Sequence, residues 1–117
     1  MTGNDIYRRV LGLLGYLNTE TVIPDKDNLL KRAPDIINQI CMDLKIPMIE
    51  RMSQTIEANE KSIDALCYGT AMIMALVEGD GAKNQLFTQI YNSKRASALS
   101  KKEQIEDKMP YVSYGVD

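Results

Sequence analysis

SIDALCYGTAMIMALVEGDGAKNQLFTQIYNSKR, Ser62 to Arg95, decides the fold. Its first half mixes small residues (Ala65, Gly69, Ala71, Ala75) with large apolar ones (Ile63, Leu66, Ile73, Leu76, Val77). The spacing predicts a helix from Ser62 to Glu78. Gly69 in a helix interior costs about 1 kcal/mol relative to alanine, which implies a packing reason. Ala65 and Gly69 lie one turn apart on one face and Ala71 and Ala75 on another, so a second backbone can approach closely. At EGDG, Gly79 can close this helix and Asp80 can cap the next. The next helix is expected from Ala82 to Ala98, with Leu86, Phe87, Ile90, Tyr91 and Lys94 along one stripe. So short a connection makes the two helices antiparallel neighbours, an αα-hairpin.

Toward the N-terminus, Ile6, Val10, Leu13 and Leu14 fall at helical spacing. A first helix is expected from Asp5 to Leu14, with Thr2 or Asn4 as N-cap and Gly15 as the stop. Residues 16–26 read as a loop. A second helix is expected from Asp27 to Leu44, capped by Asp25 or Asp27. Leu29, Leu30, Ala33, Ile37, Ile40, Cys41 and Leu44 form its stripe. Pro34 interrupts it, and the unbroken stripe favours one kinked helix over two. Residues 45–61 carry no clear period. Met48, Ile49, Met52 and Ile56 fit either a short helix on the core or an extended arm that contacts a neighbouring subunit. Ser100 and Glu103 have capping-box spacing, so a further turn or short helix is expected after Ala98. MPYVSYGVD, residues 109–117, alternates like a strand. The chain thus reads as a single small all-α bundle of about four helices with a central αα-hairpin. Residues 1–99 are its helical domain and residues 100–117 an extended C-terminal tail.

The totals exclude several function classes. The 117 residues suffice for one domain and one core. A net charge of −2, with acids and bases interspersed, argues against a scaffold held on nucleic acid by phosphate contacts. The absence of histidine removes the commonest general base and metal ligand. Cys41 and Cys67 sit in apolar helical contexts without metal-site or redox spacing, and read as core thiols in a reducing compartment; a disulfide between them stays open. No signal peptide is expected, because Arg8 and Arg9 interrupt the first apolar stretch. The longest apolar run, Ala71 to Val77, is far short of a bilayer span.

No catalytic, cofactor-binding or metal-binding constellation emerges, and the chain reads as a non-enzyme. Glu78 and Asp80 lack the alternating oxygen ligands of a calcium loop, and Gly79 and Gly81 belong to no phosphate-binding motif. The favoured reading of Glu78–Gly81 is a cap-to-cap turn. Lys94, Arg95, Lys101 and Lys102 make a modest basic patch that could touch nucleic acid; more often such a patch is a solvated helix end. Asp43 and Glu50 have no acid–base partner, and Ser53 and Ser62 have no base. Tyr7, Tyr68 and Tyr91 could stack on nucleobases, but core-edge or interface roles suit them better.

Three stretches, taken together, resemble the small all-helical head–tail connector (neck, adaptor or head-completion) proteins of tailed bacteriophages and prophages. They are YRRVLGLLGYLN (Tyr7 to Asn18), LLKRAPDIINQICMDL (Leu29 to Leu44) and LCYGTAMIMALVEGDGAKNQLFTQIYNSKRA (Leu66 to Ala96). The last carries the tyrosine–glycine–small pattern, the glycine–aspartate break and a tyrosine-ending helix in order. MPYVSYGVD is similar to the proline-containing extension after that hairpin, whereas residues 45–61 match nothing in the family pattern. The resemblance implies a structural virion assembly protein: a homo-oligomeric ring that joins the portal of the head to the tail and lets DNA pass. It implies the portal protein and a tail-side or stopper protein as partners, DNA only in transit, and neither a membrane nor a small-molecule substrate. Its location would be the virion, after assembly in the bacterial host cytoplasm. By residue type and position the assembly contacts are expected at Met48, Met52, Tyr68, Met72, Tyr91, Tyr111 and Tyr114. The competing reading is a small helical regulatory module, monomeric or dimeric, that binds protein or DNA through one hairpin and needs an exposed basic helix.

Overall fold

The computed structural model describes residues 1–16 and 26–107, with side chains at 1–16 and 28–100. The described residues form four α-helices: α1 (Gly3–Leu13), α2 (Lys26–Leu44), α3 (Glu60–Val77) and α4 (Gly81–Asp107). Their only β feature is a lone antiparallel bridge between Thr2 and Thr55. The expected all-α bundle with a central hairpin is the observed architecture. Of the expected extended tail, residues 100–107 are helix instead, and residues 108–117, with Tyr111 and Tyr114, lie outside the described residues.

Each helix ends where the chain chemistry says it can. Thr2 caps α1 in a full capping box with Asp5, and Asn4 is not the cap. Gly15, at φ 84°, lets the chain turn so that its N–H donates to the Gly12 carbonyl and that of Tyr16 to the Leu11 carbonyl. The same reciprocal pair closes α3, from Gly79 to Leu76 and from Asp80 to Ala75. It closes α2 as well, from Lys45 to Met42 and from Ile46 to Cys41, although Lys45 must take φ 60° to do so. Asn59 caps α3, which begins two residues before the expected Ser62. The Asp80 carboxylate accepts from the Lys83 N–H, and its carbonyl accepts from the Asn84 N–H, as an N-cap should.

One expectation holds and another changes. As the unbroken stripe favoured, α2 is one helix with Pro34 inside it. Leu30, four residues earlier and without its helical donor, is 45% exposed, so water can serve its freed carbonyl. Of the two expected caps, Asp25 lies outside the described residues and Asp27 falls inside the helix. α4 does not stop at Ala98 but continues to Asp107. No glycine or proline occurs from Ala82 to Met109, and Ser100 is helix interior rather than a cap.

α3 is the central element. α4 packs antiparallel along it, α2 and α1 cover its other faces, and Ile6, Val10, Leu29, Ile37, Leu44, Leu66 and Met74 are fully buried between them. Gly69 explains itself here. A Cβ on it would stand 2.7 Å from a Tyr91 ring carbon and 2.8 Å from Ile40 Cγ2. Glycine is what lets α2 and α4 reach α3 at one point.

The stretch from Lys45 to Asn59 is not a helix, and it lies against its own bundle. It runs irregularly over the bundle and buries Ile46, Ile49 and Ile56. The Asn38 amide on α2 serves it like a strand edge: Nδ2 donates to the Ile49 carbonyl and Oδ1 accepts from the Ile49 N–H, both at 2.8 Å. Its carbonyls at Met52 and Gln54 accept from the Asn4 and Gly3 N–H groups that open α1. With the capping box, these occupy the donors a helix N-terminus otherwise leaves free.

Candidate functional site

Several charged groups of the hairpin are engaged within the chain, whereas the Thr70 hydroxyl of α3 is buried without a hydrogen-bond partner among the described residues. Asp43 of α2 accepts a short hydrogen bond from the Tyr91 hydroxyl and another, at 2.8 Å, from Arg95 Nε. Asp64 of α3 pairs with Arg9 of α1 at 2.9 Å and Lys94 of α4 at 2.6 Å. Lys94 also lies 5.3 Å from the Tyr68 ring centre. Its hydrogen bond to Asp64, then that carboxylate's charge, raises its pKa. The basic patch expected at Lys94 and Arg95 is therefore internally paired, and the side chains of Lys101 and Lys102 lie outside the described residues.

The Glu78–Gly81 turn is fastened to the end of α1. Lys83 Nζ donates to the Leu14 carbonyl at 2.8 Å, sits 5.1 Å from the Tyr16 ring centre and lies 3.8 Å from Asp80. Burial, then the charges of Glu78 and Asp80, raises the Tyr16 pKa. The carboxylates here stabilise a junction, with the lysine as counter-charge. Among the described residues no group of three or more histidine, cysteine, aspartate or glutamate side chains could hold a metal ion.

The expected contact residues separate into three groups. Tyr91 is 4% exposed and clamps α2 to α4, so its ring faces the chain's own core. Met52, Tyr68 and Met72 are half-buried against the core, Tyr68 with its ring tilted on Phe87 at 6.1 Å. Met48 stands out at 52% exposed. Tyr111 and Tyr114 lie outside the described residues. Sequence reading did not single out Met42 (65% exposed), Leu76 (64%) and Leu86 (53%). Leu86 belongs to the expected stripe of α4 and Leu76 to the large residues of α3, and periodicity gives the centre of a buried stripe better than its edge.

Two of the depressions among the described residues bear on function. One, of about 650 Å³, lies beside Arg9, Lys61, Glu60 and Asp64, where Arg9 and Asp64 already pair. The other, of about 430 Å³, lies between α2 and the hairpin, with Ile40, Met42, Met72, Ile73 and Tyr91 as apolar lining and Gln39 and Asp43 at its edge. Neither holds a nucleophile beside a base. Cys41 and Cys67 are buried free thiols, and burial pushes each up to about 11, so they are poor nucleophiles at neutral pH.

No described helix is long and apolar enough to cross a membrane. No protein-family model, curated protein or solved structure matches the chain.

Proposed function

We propose that this chain is a structural assembly subunit, a head–tail connector of a tailed bacteriophage or prophage, which forms a closed ring with copies of itself between portal and tail. The observation that carries this reading is the character of the surface. Large apolar side chains at Met42, Met48, Leu76 and Leu86 face solvent, while Asp43, Asp64, Lys94 and Arg95 are engaged with one another. Exposed apolar groups suit association, and pairing leaves Lys94 and Arg95 little with which to hold a phosphate. The resemblance of the hairpin and of α2 to connector subunits gives the association its context. In that setting the modest net charge of −2 suits a conduit through which DNA passes without being retained.

Partners are then further copies of the chain, the portal protein and a tail-side protein, with the virion as its final location. The regulator reading ranks lower, because the two hairpin cations that would face a duplex are bound to Asp64 and Asp43. Light scattering over a concentration series, alone and with the portal protein encoded beside it, tests the proposal. A discrete multi-subunit mass in either condition is expected. A monomer or dimer unchanged by the portal protein would overturn it.

A further inference from the structure

The groove between α2 and the α3–α4 hairpin is an apolar seat that the described chain leaves open. Its floor is Ile40 and the Tyr91 ring, its walls Met72 and Ile73, and Met42 overhangs it. Asp43 at its edge is already satisfied by Tyr91 and Arg95, so it imposes no demand for a cation. Gln39, exposed on the same rim, offers an amide that can serve an extended backbone as Asn38 serves Ile49 one position earlier. We propose that this groove receives residues 108–117 of a second copy of the chain, with Val112 and Tyr114, which share one face of an extended backbone, as its anchors and Tyr111 against the rim.

Reach and chemistry choose that occupant. Beyond Asp107 the chain reads KMPYVSYGVD, with apolar side chains at alternating positions and Pro110 to end any helix. The Tyr91 edge of the groove lies about 24 Å back along α4 from Asp107, at the helical rise per residue. A fully extended chain takes Tyr111 at most about 14 Å from Asp107 and Tyr114 about 25 Å. Within one molecule Tyr111 cannot arrive, and Tyr114 does so only if the chain runs straight back with no turn. A neighbour has no such limit. Donor tail and acceptor groove are different patches, so the contact is either exchanged reciprocally in a two-fold dimer or repeated head-to-tail, the kind that closes into a ring. The placement deepens the connector reading and rests on it for the ring, but not for the docking itself.

Methyl NMR of the full-length protein over a dilution series tests it, with a double Tyr111→Asp, Tyr114→Asp variant and a synthetic peptide of residues 108–117. The Met42, Met72 and Ile73 methyl signals should move with concentration in the parent chain and stay fixed in the double variant. Adding the peptide to that variant should restore the shift. Met42→Glu, at a mostly exposed position, should weaken the peptide at least tenfold. Methyls that ignore both concentration and peptide would overturn the proposal. So would a concentration-independent bound signal that only the double variant loses, which means the chain's own tail is the occupant, or a concentration-dependent shift that survives in the double variant, which means another surface meets the groove. A ring that still forms in the double variant removes the docking and leaves the connector reading. Peptide binding without any ring does the reverse.

Discussion

The α3–α4 hairpin and the segment joining α2 to α3, residues 45–59, are held by different means. The hairpin is held by periodic apolar faces, a single glycine where three helices meet, and caps drawn from its own sequence. The segment has no period. It is held by three buried isoleucines and by hydrogen bonds to partners far away in the chain: Asn38, Met1, Gly3 and Asn4. Both belong to the same core. What differs is whether the information for the contact lies within the element or outside it.

The largest effect should come from the hairpin's tightest point. Gly69→Val puts side-chain atoms where Tyr91 and Ile40 already stand, and should destabilise the fold by about 3 kcal/mol in chemical denaturation. Only a small loss would mean that α2 and α4 can move apart freely. Asn38→Ala tests the segment. It strips the Ile49 N–H and carbonyl of their partners and should cost about 2 kcal/mol. A neutral result would make the segment a passenger on the bundle.

An alkaline titration sharpens the hairpin side. Cys41 and Cys67, pushed up to about 11 by burial against an ordinary 9.0, are protonated more readily in the fold than in the unfolded chain. Burial and then the Asp43 hydrogen bond raise Tyr91 in the same direction. A raised folded-state pKa gives stability that is whole below the unfolded value and lost as pH climbs through the folded one. Thermal stability should therefore hold to about pH 8 and fall between about pH 9 and 11, with the two thiols together contributing about 3 kcal/mol of the loss by pH 10. Replacing both cysteines with alanine should flatten the first part of that decline.

The smallest effect is a gain. Lys45 sits at φ 60° where α1 and α3 use glycine, so Lys45→Gly should stabilise by about 0.5–1 kcal/mol in the same denaturation assay. It acts at the junction where the regular helix hands over to the irregular segment.

The same contrast explains what was legible in the sequence. Thr2, Gly15, Gly79 and Asp80 act on neighbours within a few residues, so their roles could be read directly. Gly69 could be flagged as a packing residue, but its partners Ile40 and Tyr91 could not be named, since they depend on how three helices meet. The end of α4 was placed too early because Ser100 and Glu103 imitate a cap in a stretch that has nothing to break the helix. Residues 45–59 are ambiguous in the sequence because the instruction for Ile49 lies in Asn38, on α2 and eleven residues away. Among the candidate contact residues, Tyr91 was chosen by type, and its burial follows from Gly69 and Asp43 on two other helices. The exposure of Met42 and Leu76 likewise depends on how far the neighbouring helices extend.

If the segment is part of the core, it is no detachable arm, and partner contacts come from the groove, the exposed hairpin residues and Met48 where it stands out of the bundle. Native-state hydrogen exchange tests this most directly. The Ile49 amide, bonded to Asn38, and the Ile56 amide, bonded to the Met1 carbonyl at 2.7 Å, are compared with Met74 at the centre of α3. All three should exchange only through global unfolding, with the same opening free energy and the same response to denaturant. Should Ile49 and Ile56 open more easily than Met74 by about 3 kcal/mol or more, the segment is a loosely held arm, and Met48 and Met52 become the surface that meets a partner.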